Sequence, residues 1–443
     1  MRLTIRTLFL LLFSLSFLLF LFANKPSTGV SHTNYNDKER EQVLKEIREF
    51  EISQRKVIPP ANLSQILGLE IKYDILEQIN NTKERNNPRE EYVRKEKREL
   101  FEFLKSQFLP YKETGITSEM VNLFDRIDKR DVDNYLLMRV KIKGQKVFIV
   151  NEIDHDRMKI AKKVLGEFMA LHGAEVPDVD FIMTGHDALH VKQNSTLKNL
   201  LDGVPLFVMS RGNLTRNKHI AIPDFYQLER NDHLHVFLPV SEASQKINWE
   251  EKKGVAFWRG SSTGQPILES GETVHDALRL ARFKLAYLSN AYPYLLDAKI
   301  THFVQVPWML TSQLKEFYRE GMKVPHLHHL NYKYLVSVDG NSCSWMRVPW
   351  ILVSNSLLIK QETYDFQWFY PAMKPYVHYV PVKMDLSDLV EKVEWCKEND
   401  EIVKEISKRA TEFAMANLKY LDGYEHLLFI LKEYSSLQRF QVL

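Results

Sequence analysis

The fold class follows from a short buried strand that opens into a small polar turn, Val255-Ala256-Phe257-Trp258-Arg259-Gly260-Ser261-Ser262-Thr263-Gly264. Four uncharged apolar residues are typical of a strand covered on both faces, and the helical pattern from Val274 to Asn290 supplies the next element of an α/β unit. Glycine lets the backbone approach an anion, hydroxyls donate hydrogen bonds, and the Arg259 guanidinium matches phosphate oxygens. The stretch therefore predicts an α/β sheet whose polar turn is suited to a phosphate. It is not a Walker loop, because no Gly-Lys-Ser/Thr follows.

The same strand, loop and helix pattern recurs further along the chain, in Val336-Ser337-Val338-Asp339-Gly340-Asn341-Ser342-Cys343-Ser344-Trp345-Met346-Arg347. Ser342 and Ser344 are expected at the amino terminus of a helix that runs through Trp345 to Leu352, where the helix dipole favours an anion. Arg347 is expected in the first turns of that helix. Two such junctions, each with an arginine, predict one diphosphate site.

The rest of the chain also alternates strands with helices. A hairpin is predicted from Tyr135–Ile142 and Lys146–Val150, and a helix from Asp156 to Gly173. Further strands are predicted in both halves, at residues 179–184, 204–210, 219–223, 332–338, 356–359 and 377–382. This pattern favours two α/β units whose ligand crevice lies at the carboxyl ends of parallel strands.

Three segments together resemble glycosyltransferase family 90, which includes Rumi-like protein O-glucosyltransferases, capsule xylosyltransferases and proteins of lipopolysaccharide modification. The segments are residues 257–264, residues 334–347 and the aromatic stretch Trp368-Phe369-Tyr370-Pro371-Ala372-Met373-Lys374-Pro375-Tyr376-Val377-His378-Tyr379-Val380-Pro381-Val382. The resemblance implies a GT-B fold of two facing Rossmann-like domains. It also implies inversion at the anomeric carbon and a UDP-sugar donor, with no metal or other cofactor.

The resemblance assigns the donor site to residues of both junctions. Those expected to bind the donor are Arg259, Gly260, Ser261, Ser262, Asn341, Ser342, Ser344 and Arg347. The leaving UDP needs positive charge, which Arg259, Arg347 and a helix amino terminus would supply in place of a metal. In several members of the family an arginine follows the first junction closely, whereas this chain has Gln265-Pro266-Ile267 there.

The resemblance also implies a catalytic base, Asp187, just after the strand Val179–Thr184. An inverting transfer needs one carboxylate that removes the proton of the acceptor hydroxyl as it attacks. His186, which stands beside this base, is expected to support it or touch the acceptor. Two departures from the family pattern occur here, since His186 replaces an arginine and Thr184 an asparagine.

Metal-dependent alternatives rest on Asp-x-Asp pairs at residues 131–133, 154–156 and 178–180, and on the histidines of 326–329. Only the pair Asp154 and Asp156 follows a predicted strand, as the metal-dependent GT-A class requires. The histidine cluster has no carboxylate at a suggestive spacing. The prediction is that no metal is bound, and the pair Asp154 and Asp156 is the main metal-dependent alternative.

The amino terminus carries a candidate membrane segment. Arg2 and Arg6 precede an uncharged run at residues 8–23, which is near the lower limit for spanning a bilayer. A retained signal-anchor with a single membrane pass is predicted, because the small-x-small cleavage pattern is poorly formed at Ala23. A cleaved signal peptide and a secretory compartment are the alternative.

The predicted organisation has five parts: an anchor or signal peptide at 1–24, a helical stem at 25–110, an acceptor domain at 111–240, a donor-binding domain at 241–415 and a terminal helix at 416–443. The 60 basic and 57 acidic residues nearly balance, which argues against a nucleic-acid partner. The two cysteines, Cys343 and Cys396, exclude a disulfide framework.

The predicted activity is transfer of glucose or xylose from a UDP-sugar to a hydroxyl of a glycan, a lipopolysaccharide core or a protein serine. One alternative is a non-catalytic relative that binds UDP-sugars, suggested by the departures at Thr184 and His186. A phosphotransferase that uses the same loops is the other alternative. The absence of lysine from both loops weighs against it.

Overall fold

The computed structural model describes residues 88–443, apart from 188, 190, 192–194, 213–217 and 230–231. The predicted membrane segment and the predicted stem up to residue 87 lie outside the described residues. Within the described part, each helix is too short or too polar to cross a lipid bilayer.

The first sheet has five strands in the order β2-β1-β3-β4-β5. Their bounds are β1 Leu137–Lys143, β2 Lys146–Ile149, β3 Val179–Thr184, β4 Leu206–Val208 and β5 Ile220–Ala221. β1 runs antiparallel to β2 and β3, whereas β3, β4 and β5 are parallel. All six residues of β3 are buried, as expected of a central strand covered on both faces.

The second sheet is fully parallel, in the order β10-β9-β8-β6-β7. Its strands are β6 Lys253–Ser261, β7 Leu296–His302, β8 Tyr332–Ser337, β9 Leu357–Gln361 and β10 Val380–Val382. Phe257 of β6 pairs with Leu335 of β8, so the loops that follow these two strands leave the sheet side by side. The described chain is thus a mixed α/β protein with two sheets, as the GT-B prediction requires.

Helices cover both sheets. Their bounds are α1 Pro88–Ser106, α2 Ser118–Asn122, α3 Lys129–Asn134, α4 Asp156–His172, α5 Thr196–Gly203, α6 Phe225–Leu228, α7 Leu238–Ser244, α8 Ala281–Ala291, α9 Thr311–Tyr318, α10 His326–His329, α11 Arg347–Leu352, α12 Leu389–Glu398, α13 Asp400–Asn417 and α14 Tyr420–Leu437. A π-helical turn, His233–Phe237, leads into α7.

The two sheets are joined by a backbone bridge and by the last helix of the chain. Arg211, after β4, pairs with Phe366 in a short antiparallel bridge with N···O distances of 3.0 and 3.1 Å. The last helix, α14, follows the second sheet in the chain but packs against the first. Its Tyr434 hydroxyl donates to the Asp180 carbonyl at 2.8 Å. These links place the carboxyl ends of β3 and β8 opposite each other.

The distinctive aromatic stretch has a structural role at this junction. Trp368 is fully buried, and its ring lies 4.4 Å from that of His426 on α14. His378 Nε2 pairs with Glu96 of α1 at 2.7 Å, and both side chains are buried. Lys374 adds an ion pair with Glu99, at 2.6 Å. The stretch therefore attaches the first helix to the body of the protein.

Several predictions of local structure need correction. β6 continues to Ser261, so Arg259, Gly260 and Ser261 belong to a strand rather than a turn. The helix predicted from Val274 is interrupted, because a 3₁₀ turn ends at Arg279 and α8 begins at Ala281. The helix predicted through Trp345 begins only at Arg347.

In the sheets, one strand was not predicted, and one strand pairing differs from the parallel pairing that was predicted. β7 was not predicted, because its burial alternates along an edge strand and its sequence carries charges at Asp297 and Lys299. The hairpin β1–β2 is confirmed, although its antiparallel pairing with β3 departs from an all-parallel sheet.

Buried histidines make the fold sensitive to acid. Burial and the charge of Lys97 lower the pKa of His426 to about 3, so its ring stays neutral between Trp368 and Phe101. In the unfolded chain this histidine takes up a proton below a pH of about 6.5, and its share of stability is lost as the pH falls through that value. At a pH of about 5 the loss is about 2 kcal/mol.

We therefore expect His426→Phe to reduce the loss of stability between a pH of about 7 and about 5 by about 2 kcal/mol, measured by denaturant unfolding. The exposed His235 provides the matched control, since His235→Phe should leave the pH dependence as in the unmodified protein. An unchanged pH dependence in His426→Phe would show that this ring is not kept neutral by the fold.

Candidate active site

Asp187 lies just beyond the carboxyl end of β3, on the first sheet. The preceding turn is fixed by Thr184, whose hydroxyl donates to the Tyr135 carbonyl at 2.6 Å and accepts from the His186 amide at 3.0 Å. Asp187 Oδ1 forms an ion pair with Arg157 at 2.8 Å, and the carboxylate side chain is 15% exposed. Thr184, where the family pattern has asparagine, thus holds the loop that presents this carboxylate.

The loop after β8 brings two predicted donor-site residues to Asp187. The Ser342 hydroxyl donates to the Asp187 carbonyl at 2.8 Å. Asn341 Nδ2 lies 3.5 Å from Asp187 Oδ2. The candidate base on one sheet and the candidate diphosphate loop on the other therefore meet across the cleft.

Arg347 is the first residue of α11 and is held under the end of β6. Its Nη2 donates to the Arg259 carbonyl at 2.8 Å, and its guanidinium carbon lies 5.8 Å from the centre of the Trp258 ring. Burial, together with the positive charge of Arg282, lowers the pKa of Arg347 to about 9. The guanidinium is therefore desolvated and repelled by a neighbour of like charge.

That neighbour, Arg282, was not predicted from the sequence. It is the second residue of α8, and its guanidinium joins both loops by donating to the Thr263 hydroxyl at 2.6 Å and to the Asp339 carbonyl at 3.1 Å. It also lies 5.9 Å from the Trp258 ring centre, and burial lowers its pKa to about 10. Arg282 and Arg347 are thus two desolvated positive charges near the same tryptophan.

The sequence indicates a special role for Arg282 only when the start of helix α8 is placed correctly. The macrodipole makes the first turn of a helix unfavourable for a cation, so an arginine there points to another partner. With a helix predicted from Val274, Arg282 falls in mid-helix and the signal disappears. With α8 beginning at Ala281, Arg282 lies in the first turn of the helix, where the signal is present.

The side chains of Arg259 and Ser262 lie toward β7. Arg259 pairs with Asp297 through Nη2 and Oδ1 at 2.8 Å, and its guanidinium carbon lies 4.2 Å from the Phe257 ring centre. The Ser262 hydroxyl donates to the Val304 carbonyl at 2.7 Å. The Arg259 carbonyl therefore contacts Arg347, whereas the Arg259 guanidinium is neutralised by the Asp297 carboxylate.

The remaining predicted donor-site residues shape the two loops. Gly260 leaves room for the Trp258 ring, which a side chain at that position would overlap. The Ser261 hydroxyl lies 3.2 Å from Arg282 Nη1. The Ser344 hydroxyl donates back to the Val338 carbonyl at 2.8 Å rather than toward the helix terminus.

A cavity of about 350 Å³ lies between the sheets, at the carboxyl ends of β4, β6, β8 and β9. Ser210 and His219 line it from the first sheet, and Thr263, Asn341 and Thr363 line it from the second. Burial lowers the pKa of His219 to about 4, so this wall carries no histidine charge at neutral pH. The cavity is bordered by residues of both loops that Arg282 joins.

The metal alternatives find little support in the geometry. Among the described residues, no group of three or more His, Cys, Asp or Glu side chains is placed to hold an ion. Asp154 and Asp156 both lie at the surface and pair with Lys159. Both oxygens of Asp180 accept from Arg139 at 2.9 Å. The histidine cluster of α10 lies near a positive charge rather than near carboxylates. Burial and the charge of Arg347 lower the pKa of His329 to about 3.

Comparison with known proteins confirms the predicted family. The family described as Glycosyl transferase family 90 matches residues 94–443, and the chain therefore belongs to it. Protein O-glucosyltransferase 2 of Danio rerio is 26% identical over 311 residues, which cover 69% of this chain and 56% of that protein. Protein O-glucosyltransferase 3 of Mus musculus is 34% identical over 191 residues, covering 43% of this chain and 34% of that protein.

A viral protein, "Uncharacterized protein 179R" of Invertebrate iridescent virus 6, is 34% identical over 203 residues, covering 42% of this chain and 17% of its own. The matches thus span about half or less of each of these relatives. Among solved structures, Anabaena Alr3699/HepE in complex with UDP-glucose is 12% identical, with a TM-score of 0.35 over 63% of this chain and 77% of that one. A glycosyltransferase from Rickettsia africae ESF-5 is also 12% identical, with a TM-score of 0.35 over 56% of this chain and 69% of that one.

Proposed function

We propose that this protein is an inverting glycosyltransferase that moves glucose or xylose from a UDP-sugar to a hydroxyl acceptor. The observation that carries the proposal is the pair Arg282 and Arg347, two desolvated guanidiniums that lie 5.9 and 5.8 Å from the Trp258 ring centre, beside the two loops. The carboxylates of Asp339 and Asp187 act on Arg282, whereas Arg347 has, among the described residues, only the opposing charge of Arg282, and an anion bound beside Arg347 would relieve that cost. A diphosphate carries the charge that this pair requires.

The chemistry needs a base on the other side of the anomeric carbon. Asp187 reaches the loop that holds Asn341 and Ser342, so its carboxylate and the diphosphate loop share one cleft. In the proposed step, Asp187 takes the proton of the acceptor hydroxyl while that oxygen attacks the anomeric carbon. The bond from that carbon to the phosphate oxygen breaks, and UDP leaves with its charge stabilised by Arg282 and Arg347. No metal is required for this neutralisation.

The acceptor and the location of the protein complete the proposal. The relatives are named protein O-glucosyltransferases, which favours glucose as the sugar and a protein serine as the acceptor. A glycan or a lipopolysaccharide core would offer the same hydroxyl nucleophile. We also propose that residues 8–23 act as a membrane anchor that holds the catalytic part at a membrane surface.

A panel of nucleotide sugars, scored by thermal shift in the presence of EDTA, tests this function. UDP-glucose or UDP-xylose should raise the melting temperature, with about 2.7 kcal/mol of stabilisation when the ligand is at about 100 times its Kd. EDTA should not reduce the shift. A preference for ATP would point to a phosphotransferase, and binding of a UDP-sugar without any release of UDP would favour a non-catalytic relative.

Gly340 offers a test of how closely the two loops must approach. A β-carbon at this position would lie 2.7 Å from the Thr263 hydroxyl and 2.8 Å from Arg282 Nη2. Gly340→Ala should therefore separate the loops and weaken UDP binding by about tenfold, about 1.4 kcal/mol, measured by calorimetric titration.

Gly254→Ala is the matched control for this variant, because a β-carbon there meets no atom within 4 Å. Unchanged UDP affinity in Gly340→Ala would show that the diphosphate does not depend on the contact between the two loops.

A further inference from the structure

Arg157 occupies a position in α4 that local helix energetics do not favour. It is the second residue of the helix, after Asp156, and its amide donates to the ring of the capping residue His155 at 3.2 Å. The positive end of the helix dipole disfavours a cation in this first turn. The position of this guanidinium therefore depends on partners outside the helix.

Those partners all belong to the surroundings of Asp187. Arg157 Nη1 lies 2.8 Å from Asp187 Oδ1 and donates to the Gly185 carbonyl at 3.3 Å. Tyr226 also interacts with the same guanidinium and, like Asp187, favours its charged form. The two side chains of the ion pair are 27% and 15% exposed, so the pair is partly removed from water and is worth more than a surface salt bridge.

The two oxygens of the Asp187 carboxylate have different partners. Oδ1 faces Arg157 on the first sheet, whereas Oδ2 faces Asn341 across the cleft at 3.5 Å. A distance of 3.5 Å is at the outer limit of a hydrogen bond, so a hydroxyl that displaces Asn341 gives up little. Oδ2 is thus the oxygen in place to receive a proton from an acceptor in the cleft.

We propose that Arg157 is a positioning residue that holds Asp187 through Oδ1, so that the ionised carboxylate presents Oδ2 to the acceptor hydroxyl. The inference rests on the proposed function. Arg157 itself exchanges no proton, since the proton of the acceptor passes to Oδ2. A guanidinium fixed against Oδ1 restricts rotation of the carboxylate, so its loss should reduce turnover rather than donor binding.

The test compares Arg157→Met and Arg157→Lys with the unmodified protein and with Asp187→Asn, by UDP release from the UDP-sugar that binds best. Arg157→Met should lower kcat by about 10- to 100-fold near neutral pH, with the KM for the UDP-sugar unchanged. The affinity for UDP, measured by calorimetric titration, should also stay unchanged, because Arg157 contacts the carboxylate and not the two loops of the donor site. Arg157→Lys should keep more of the turnover than Arg157→Met, and a third variant, Arg157→Ala, should be partly restored by added guanidinium.

Lys159→Met, on the exposed face of the same helix, is the matched control and should behave as the unmodified protein. A loss of turnover that comes with an equal loss of UDP affinity and resists guanidinium would overturn the positioning role, as would an Arg157→Met protein with normal turnover. Absence of UDP release from the unmodified protein would instead overturn the proposed function, and normal turnover in Asp187→Asn would overturn the assignment of the base.

Discussion

Asp187→Asn should reduce the turnover of a UDP-sugar by roughly 10²- to 10⁴-fold, the range that a positioned general base contributes. Asparagine has nearly the same shape but cannot take the proton from an acceptor hydroxyl. The contact from the Ser342 hydroxyl goes to the backbone carbonyl of residue 187, so it is kept in the variant. The donor site should therefore remain intact, and the affinity for UDP should be unchanged.

The matched control for this variant lies at the other end of the same strand. Asp178 precedes β3 and accepts from the Gly144 amide at 2.8 Å, far along the strand from the cleft. Asp178→Asn removes the same charge and should retain normal UDP release. Turnover in Asp187→Asn equal to that of Asp178→Asn would remove Asp187 from the mechanism.

Arg347→Met should weaken the binding of UDP without lowering the stability of the ligand-free protein. In the absence of ligand the buried Arg347 guanidinium is costly, because burial and Arg282 both disfavour its charge. Replacing it with an uncharged side chain of similar length removes that cost and gives up the hydrogen bond to the Arg259 carbonyl, worth about 1 kcal/mol. The melting temperature without ligand should stay the same or rise.

The same variant should bind UDP more weakly by roughly 10- to 100-fold, since hydrogen bonds to a charged group are worth about 1.5–3 kcal/mol. Thermal unfolding without ligand and calorimetric titration with UDP measure the two effects. Arg130→Met is the control, because it removes a charge from an exposed surface position. A protein that melts well below the unmodified one while keeping its UDP affinity would show that Arg347 is structural.

The two strand-and-loop junctions could be predicted because such junctions carry strong local signals. β6 and β8 are apolar runs that end in small polar residues, and neighbouring parallel strands bring their following loops together. The loops after Ser261 and after Ser337 are neighbours for this reason, whereas Asp187 meets Asn341 and Ser342 from the other sheet. The strand before Asp187 was also clear, since six consecutive residues are buried.

What could not be predicted depended on partners that are distant in sequence. The contact of Arg259 with Asp297 could not be predicted, because the strand that carries Asp297, β7, was not predicted. β7 is an edge strand with alternating burial. Arg282 was missed because the start of α8 was placed several residues too early. In both cases an arginine was evident in the sequence, but its carboxylate or carbonyl partners come from elements that only the fold brings together.

The central claim is inverting transfer from a UDP-sugar, and the most direct test follows the sugar itself. The protein is incubated with UDP-glucose, whose glucose is α-linked, and the anomer that first appears on transfer to water or to an added acceptor is read by proton NMR. Inversion predicts that the β anomer appears first, before free sugar equilibrates, and that Asp187→Asn releases almost none. Initial formation of the α anomer, or equal release by Asp187→Asn, would contradict the account.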